Sequence, residues 1–538
     1  MRTCLLFWGC CGVAFAGSVE GTVTNAATGE AVKRATVTLM SRSRAARYIV
    51  SADDAGRFTF PDVEAAPDWV AEARAQGFAL PKETRQALKE RPPIAVAERE
   101  PVKGVTVKLA PLGAIEGRVV DGDAESVRGV TVQALQYQYR GSGRRLDIRA
   151  SAVTDARGRY RLYFLEPGRY VLRAYLHETP PGPAEPSPHV HNFVPEDGFP
   201  PAYYPGTPEA EGASAVEVKA GAELSGYDFR MERTAAYHVR GTLAGADDPR
   251  TRVVVAPCST RAMDFGFTFS ADMLRDGRFD ARGVTPGRYC VAVHRLSGGR
   301  LATANAQVTV TDRDVNGMAL EAPLTPTIQG AVQMDPSGAE RPHPITVQVS
   351  DLDTPGLGLG YAMVQGDGTF LMRFVPSGPA SLSVNGHLEE SYLKSFRFAG
   401  EASRGAFEVP RTGGNLTLVM GTDGGQVHGK VQDQDGNLGD HMLVTIAPAG
   451  TLAQRMDLIR TVSTSDDGSF EVKGLAPGDY QAFAWEGLDD YATRSPEFLK
   501  LFADRASAVT VMAGAPSSVQ VKSVRAQEME EAIWKGQQ

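Results

Sequence analysis

Apolar and polar residues alternate along short stretches of this chain, and Gly, Pro and Asp separate the stretches. Ile115 to Val120 reads Ile-Glu-Gly-Arg-Val-Val, after which Val130, Val132 and Ala134 take every second place. Tyr160, Leu162 and Phe164 repeat the period, as do Tyr170, Leu172 and Ala174. Successive side chains leave a strand on opposite sides, so a period of two predicts strands with one buried face. Tyr227, Phe229 and Met231 close this stretch as a last strand. The pattern is that of an antiparallel β-sandwich whose short strands are joined by Gly/Pro turns.

The same unit recurs five times. Each copy has a strand glycine, at Gly21, Gly117, Gly241, Gly330 and Gly429. Each then has a turn glycine 35 to 41 residues later, at Gly56, Gly158, Gly277, Gly368 and Gly468. Two positions on stands an aromatic: Phe58, Tyr160, Phe279, Phe370 or Phe470. The turn glycine supplies positive φ, a nearby aspartate bonds the backbone two residues on, and the aromatic faces the core. A Pro-Gly-x-Tyr turn follows in copies two, three and five, ending in Tyr170, Tyr289 and Tyr480. In copy one Trp69 takes the tyrosine position. Copy four has Pro376-Ser377-Gly378 and no tyrosine.

Each copy ends in another alternating run, and the next begins within about ten residues, so short linkers are expected. The expected boundaries are 1–16 as a signal peptide, then sandwiches over 17–112, 113–235, 236–324, 325–423 and 424–525, with a tail over 526–538. The second sandwich carries a long loop insertion over 177–208. Lys82 to Arg91 reads as a helical insertion, and Glu528 to Lys535 as a final short helix or a frayed end.

Composition refines this. The 538 residues are 42% hydrophobic and 22% charged, which is globular rather than disordered. The net charge of −8 comes with no basic stripe, which argues against a nucleic-acid partner. At the N-terminus Arg2, the apolar run Cys4 to Phe15 and Ala14-Phe15-Ala16 read as a secretory signal cleaved before Gly17. No later stretch is apolar and long enough for a membrane-spanning helix. Only Cys258 and Cys290 lie beyond the signal. Strand alternation turns both outward, and they form either a disulfide or two free thiols.

Gly21-Thr22-Val23, Ala35-Thr36-Val37-Thr38-Leu39 and Gly56-Arg57-Phe58, with the Pro-Gly-x-Tyr turns elsewhere, resemble the carboxypeptidase regulatory-like domain. The resemblance covers most of residues 18 to 525. It implies an all-β tandem array of about five transthyretin-like/Ig-like antiparallel β-sandwich domains, grouped with carbohydrate-binding-like folds. Tyr203-Tyr204-Pro205-Gly206-Thr207 is similar to a segment of multi-repeat secreted bacterial proteins. The resemblance does not imply peptidase activity, because that domain is an accessory beside a catalytic one.

Candidate chemistry is sparse. His387-Leu388-Glu389-Glu390 contains His-x-x-Glu, but its flanks read as strands and turns rather than as a catalytic α/β domain. His189-Val190-His191 with Glu196 and Asp197 would suit a metal, yet it sits in a proline-rich loop. Asp433-Gln434-Asp435-Gly436-Asn437 is half a calcium loop and reads as a turn. For stacking on a sugar, Tyr203 and Tyr204 lead, with His189 and His191 beside them and Tyr137, Tyr139 and Trp485 behind. The expectation is an exported, non-enzymatic protein without cofactor or metal, secreted, periplasmic or at the cell envelope. Its expected partner is an extracellular glycan or protein; the alternative is a structural spacer.

Overall fold

The computed structural model describes residues 17–536. It omits segments 82–92, 141–142, 177–196, 246–250, 260–261, 264–267, 298–299, 323–324, 353–358, 389–390 and 440–441, and positions 275, 376, 387, 404 and 489. The expected signal peptide and the expected helix over 82–91 therefore lie outside the described residues. The chain divides into two compact units. The first is built on residues up to Ala114, with Tyr163–Pro167 and Val218–Glu223; the second holds the rest.

In the first unit the strands are β1 (Gly17–Asn25), β2 (Thr36–Ser41), β3 (Arg47–Ser51), β4 (Arg57–Val63), β5 (Ala66–Arg74), β6 (Phe78–Ala79), β7 (Ile94–Val96) and β8 (Pro101–Pro111). They form two sheets in the orders β4-β1-β8-β6 and β3-β2-β5-β7. Val19, Val23, Leu39, Phe58, Phe60, Trp69 and Leu109 fill the space between them. The β1–β4 pair is antiparallel as expected, but the first and last strands, β1 and β8, run parallel. The same first-to-last parallel pairing recurs in sandwiches 3, 4 and 5. Parallel neighbours need a long crossover, and the rest of each sandwich supplies it.

Asp68 lies on β5. Its Oδ2 accepts hydrogen bonds from Ser41 Oγ at 2.8 Å and from Ser43 N and Ser43 Oγ at 2.7 Å each. These bonds, led by Ser43, hold its pKa at about 2. The turn aspartates Asp53, Asp155, Asp276, Asp367 and Asp467 are shifted the same way by bonds from residues two or four positions on. A carboxylate with a depressed folded-state pKa stabilises the fold above its unfolded value, and the contribution fades as pH falls through the folded one. The denaturation midpoint should therefore fall between about pH 4 and pH 2. Asp68→Asn should flatten that fall in the first sandwich; an unchanged acid profile would count against the assignment.

In the second unit four further cores form. Sandwich 2 buries Ile115, Val119, Val132, Tyr160, Leu162, Tyr170, Leu172 and Phe229. The alternation fails at Phe164, which is 60% exposed. Its φ of +60° shifts the alternation by one within the strand Arg159–Leu165, so Phe164 faces away from the core and Leu165 takes the buried place. Sandwich 3 is centred on Val239, Phe279, Tyr289 and Val291. Its strand Phe269–Met273 pairs with both sheets and joins them. Sandwich 4 is centred on Ile328, Phe370, Phe396 and Leu418, and sandwich 5 on Val427, Phe470, Val472 and Tyr480.

One stretch departs from its expected form, and another takes the first of its two expected forms. The end of the 177–208 insertion is sheet rather than loop: Ala202 and Tyr203 pair with Ala174 and Arg173. The expected tail is the helix Ala526–Lys535. Sandwich 5 also carries two short helices, α1 (Asp490–Thr493) and α2 (Pro496–Lys500); the C-terminal helix is α3. Ser495 caps α2, accepting from Phe498 N, with Pro496 in its first turn. Ser-Pro-Glu at 495–497 was the sequence signal for that helix.

Candidate functional site

The repeat residues serve the fold. Gly21 is the cross-strand partner of Phe58, Gly241 of Phe279, Gly330 of Phe370 and Gly429 of Phe470. In each pair the aromatic ring fills the space where a side chain on the glycine would stand. In sandwiches 1, 2, 3 and 5 a carbonyl oxygen of the neighbouring strand closes the same space, from Val105, Tyr227, Met318 and Val519. In sandwich 2 the Tyr160 hydroxyl also donates to Tyr227 O at 2.5 Å. Desolvation raises the pKa of that phenol well above its ordinary value.

The second aromatic is anchored by its polar end. Tyr289 OH donates to Thr285 O at 2.8 Å and Tyr480 OH to Ala476 O at 2.9 Å. Burial pushes the Tyr289 pKa up to about 12. Trp69 does the same work in sandwich 1, its indole N–H reaching Glu64 O at 3.0 Å. At the corresponding position sandwich 4 has the small buried Ala380.

Of the ligand-binding residues expected from the sequence, the structure describes Tyr203 and Tyr204. His189, His191, Glu196, His387, Glu389 and Glu390 lie outside the described residues. Tyr203 is buried with Leu135, Val171 and Ala210, so it offers no open ring face for a sugar. Tyr204 is half-buried against Tyr227 and Phe229, at 5.3 and 6.0 Å between ring centroids. Trp485 is fully buried and donates to Thr445 Oγ1. Asp433 makes a turn, its Oδ1 accepting from Asp435 N and Asn437 N at 2.8 Å each. Among the described residues no group of three or more metal-ligating side chains occurs.

Beneath Tyr203 lies a residue that the sequence reading missed. Arg173 is fully buried, its Nη2 bonding Gln133 Oε1 at 2.5 Å and its guanidinium near the rings of Tyr175 and Tyr203. Desolvation lowers its pKa, and the two tyrosines oppose the shift. Strand alternation alone places an arginine at 173 on the face opposite Leu172 and gives no sign of its cover.

The side of the neighbouring strand that carries Tyr137 and Tyr139 is covered by residues far along the chain. Trp534 of α3 packs edge-on to Tyr137 at 5.5 Å, and Arg144 lies 3.5 Å over the Tyr137 ring while its Nε donates to Ile533 O. Glu530 accepts from Arg169 N at 3.0 Å. Tyr139 packs on Phe498 of α2, within a cluster that includes Phe483, Trp485, Phe502 and Met529. Sandwiches 2 and 5 are thus in direct contact, which a string of beads joined only in sequence would not allow. Trp534→Ala should raise amide exchange in Thr131–Arg140 and Gly143–Val153 by about tenfold, as a truncated aromatic contact of 1–2 kcal/mol predicts. Unchanged exchange there would mean the contact contributes nothing.

Cys290 is disulfide-bonded. It is buried, not outward to solvent as alternation suggested, because both faces of Gly287–Ser297 are covered near it. Cys258 stands two positions beyond Ala256, the register partner of Cys290. The side chain of Cys258, its expected partner, lies outside the described residues. Thiol labelling of the native protein should leave Cys290 unreacted until the protein is reduced, and reduction should cost sandwich 3 about 3–4 kcal/mol.

The outward faces differ between copies. Two shallow grooves lie over the glycine–aromatic pair, one of about 650 Å³ at Gly330 and Phe370, the other of about 720 Å³ at Gly429 and Phe470. Polar and apolar side chains flank them on adjacent strands.

With this geometry in place, the comparisons with known proteins are brief. Residues 18–110, the stretch of the first sandwich, match the family of the carboxypeptidase regulatory-like domain. No curated protein matches the chain. Among solved structures it is similar to a streptococcal ancillary pilin, at 11% identity over 46% of this chain and 89% of the other, TM-score 0.16. It is also similar to the Bacillus anthracis TIE protein, at 10% over 74% and 68%, TM-score 0.16. A third is the major pilin subunit of Bacillus cereus, at 10% over 57% and 98%, TM-score 0.15. Among the described residues no helix is long and apolar enough to cross a membrane.

Proposed function

We propose that this is an exported, non-enzymatic protein whose β-sandwiches bind an extracellular carbohydrate or protein through their outward faces. One observation carries the reading: the motif side chains point into cores and turns, while the outward positions over the same frame change chemistry from copy to copy. A shared frame with variable outward residues is how binding surfaces are grafted on folds. The N-terminal apolar run and the bonded Cys290 support export to an oxidising compartment, secreted, periplasmic or at the cell envelope. The boundaries near 112, 235, 324 and 423 belong to the same proposal.

The test is a glycan array and a pull-down with the full mature chain, alongside N-terminal sequencing that should begin at Gly17. A specific ligand supports the reading. Silence in both assays would move it to the second one, a structural spacer.

A further inference from the structure

The C-terminal helix α3 draws much of its support from sandwich 2. It has ten residues, and isolated helices shorter than about 12–15 are marginal in water. Arg525 stands at its N-cap and has no acceptor to offer the first turn. At the other end Gly536 N bonds Ala532 O at 3.0 Å. The next two carbonyls, of Ile533 and Trp534, accept from Nε and Nη2 of Arg144 in the strand Gly143–Val153 of sandwich 2. A guanidinium at that place also meets the negative end of the helix dipole.

The helix has one apolar face and one charged face. Met529 and Ile533 pack into the cluster of Tyr139 and Phe498, and Trp534 into that of Tyr137 and Leu146. Met529 is its one fully covered side chain, so little burial holds it down. Three glutamates against one lysine leave the helix acidic, and it meets donors on both sides. Glu528 pairs with Arg505 of sandwich 5 at 2.8 Å, and Glu530 accepts from Arg169 N of sandwich 2 at 3.0 Å. A cation of a different sandwich therefore holds each end. The joint itself has rings that touch without the helix. Centroids lie 5.6 Å apart for Tyr139 and Phe498, 5.2 Å for Trp485 and Phe498, and 5.4 Å for Trp485 and Phe502.

We propose that α3 is a detachable strap. It folds on docking and lifts off as one unit, while sandwiches 2 and 5 stay joined through Tyr139, Phe498 and Trp485. Docked, it covers Tyr137 and Leu146 of sandwich 2; lifted, it bares them together with Ile533 and Trp534. Arg144 and Arg505 set how often this happens, because the apolar contacts alone do not offset the entropy of ordering the segment. A terminal element held this way opens well below the free energy of global unfolding.

The experiment is amide exchange and acrylamide quenching on the full mature chain. Trp8 leaves with the expected signal peptide, and Trp69 and Trp485 are fully buried, so quenching reads Trp534. Arg144→Ala should raise exchange of the helix amides at 529–535 about tenfold, as loss of a charged hydrogen bond predicts, and raise quenching with it. Arg505→Ala, at the opposite end, should raise exchange about two- to fivefold at Met529 and Trp534 alike, since an exposed ion pair contributes little and the unit opens whole. In both variants exchange in Gly478–Trp485 and Pro496–Lys500 should keep the wild-type rate. A rise confined to the turn nearest each substitution means two fraying ends and overturns the strap. An equal rise in Gly478–Trp485 and Pro496–Lys500 makes the helix part of the joint and overturns it as well. Unchanged helix exchange in Arg144→Ala shows that sandwich 2 does not hold the helix, with the same consequence. Arg505 is half-exposed, so its variant keeps the test decisive even where Arg144→Ala fails to fold.

Discussion

Gly241→Ala is expected to destabilise sandwich 3 by about 3 kcal/mol or more, as overpacking against backbone does. A methyl group there would collide with Met318 O on the parallel strand Val315–Glu321 and with the ring of Phe279. Neither can yield cheaply. The carbonyl belongs to the strand ladder, and the ring is buried in the core. Gly317 in the same sandwich provides the contrast. It has φ +77° and nothing within 4 Å of an added methyl, so Gly317→Ala costs only the backbone term of about 1 kcal/mol. Chemical denaturation of the two variants under non-reducing conditions decides the matter. Equal losses would show that conformation, and not the collision, sets the requirement for glycine.

Arg455→Ala should cost about 3–5 kcal/mol and loosen sandwich 5 from sandwich 4. Arg455 and Asp457 are both buried, and the guanidinium reaches the Asp457 carboxylate through Nε at 2.8 Å and Nη2 at 2.7 Å. Nη2 also donates to Leu393 O at 2.6 Å, in the strand Tyr392–Phe398 of sandwich 4. Beside it Tyr392, Leu458 and Ala476 form a small apolar cluster that joins the two sandwiches. Removing the arginine leaves a buried carboxylate and a buried carbonyl without their donor, which costs more than the pair contributes. Replacing both partners, as Arg455→Met with Asp457→Leu, should therefore be much less damaging than Arg455→Ala alone. A double variant as unstable as the single one would refute this. Calorimetry of the wild type and both variants reads the difference, with an earlier separate transition expected for Arg455→Ala.

Much of the frame is legible in the chain. The turn glycines at 56, 158, 277, 368 and 468 all take positive φ, and the aromatics two positions on are all buried. These are local requirements of a turn and a strand face, so a linear motif records them. The strand glycines are recorded equally well, but their reason is not: it depends on a ring and a carbonyl that only the folded sheet brings to them. Parity also fails where a face has a second cover. Cys290 and Arg173 stand at positions that alternation turns outward, yet both are buried.

The candidate surface was less legible. Tyr203 and Trp485 looked available because aromatic residues in a loop or at a strand end carry no mark of what packs over them. The structure closes Tyr203 in a cluster that Trp534, hundreds of positions away, packs against, and closes Trp485 with Phe498 and Phe502 of the segment that follows it.

From the sequence alone follow the all-β class, the five-fold repeat, the turns and the inward aromatic of every copy, because each rests on residues a few positions apart. The tertiary structure decided the parallel first and last strands and the contact of sandwich 2 with sandwich 5. Those rest on long-range burial and strand register, which depend on which segments meet, and spacing along the chain does not encode that.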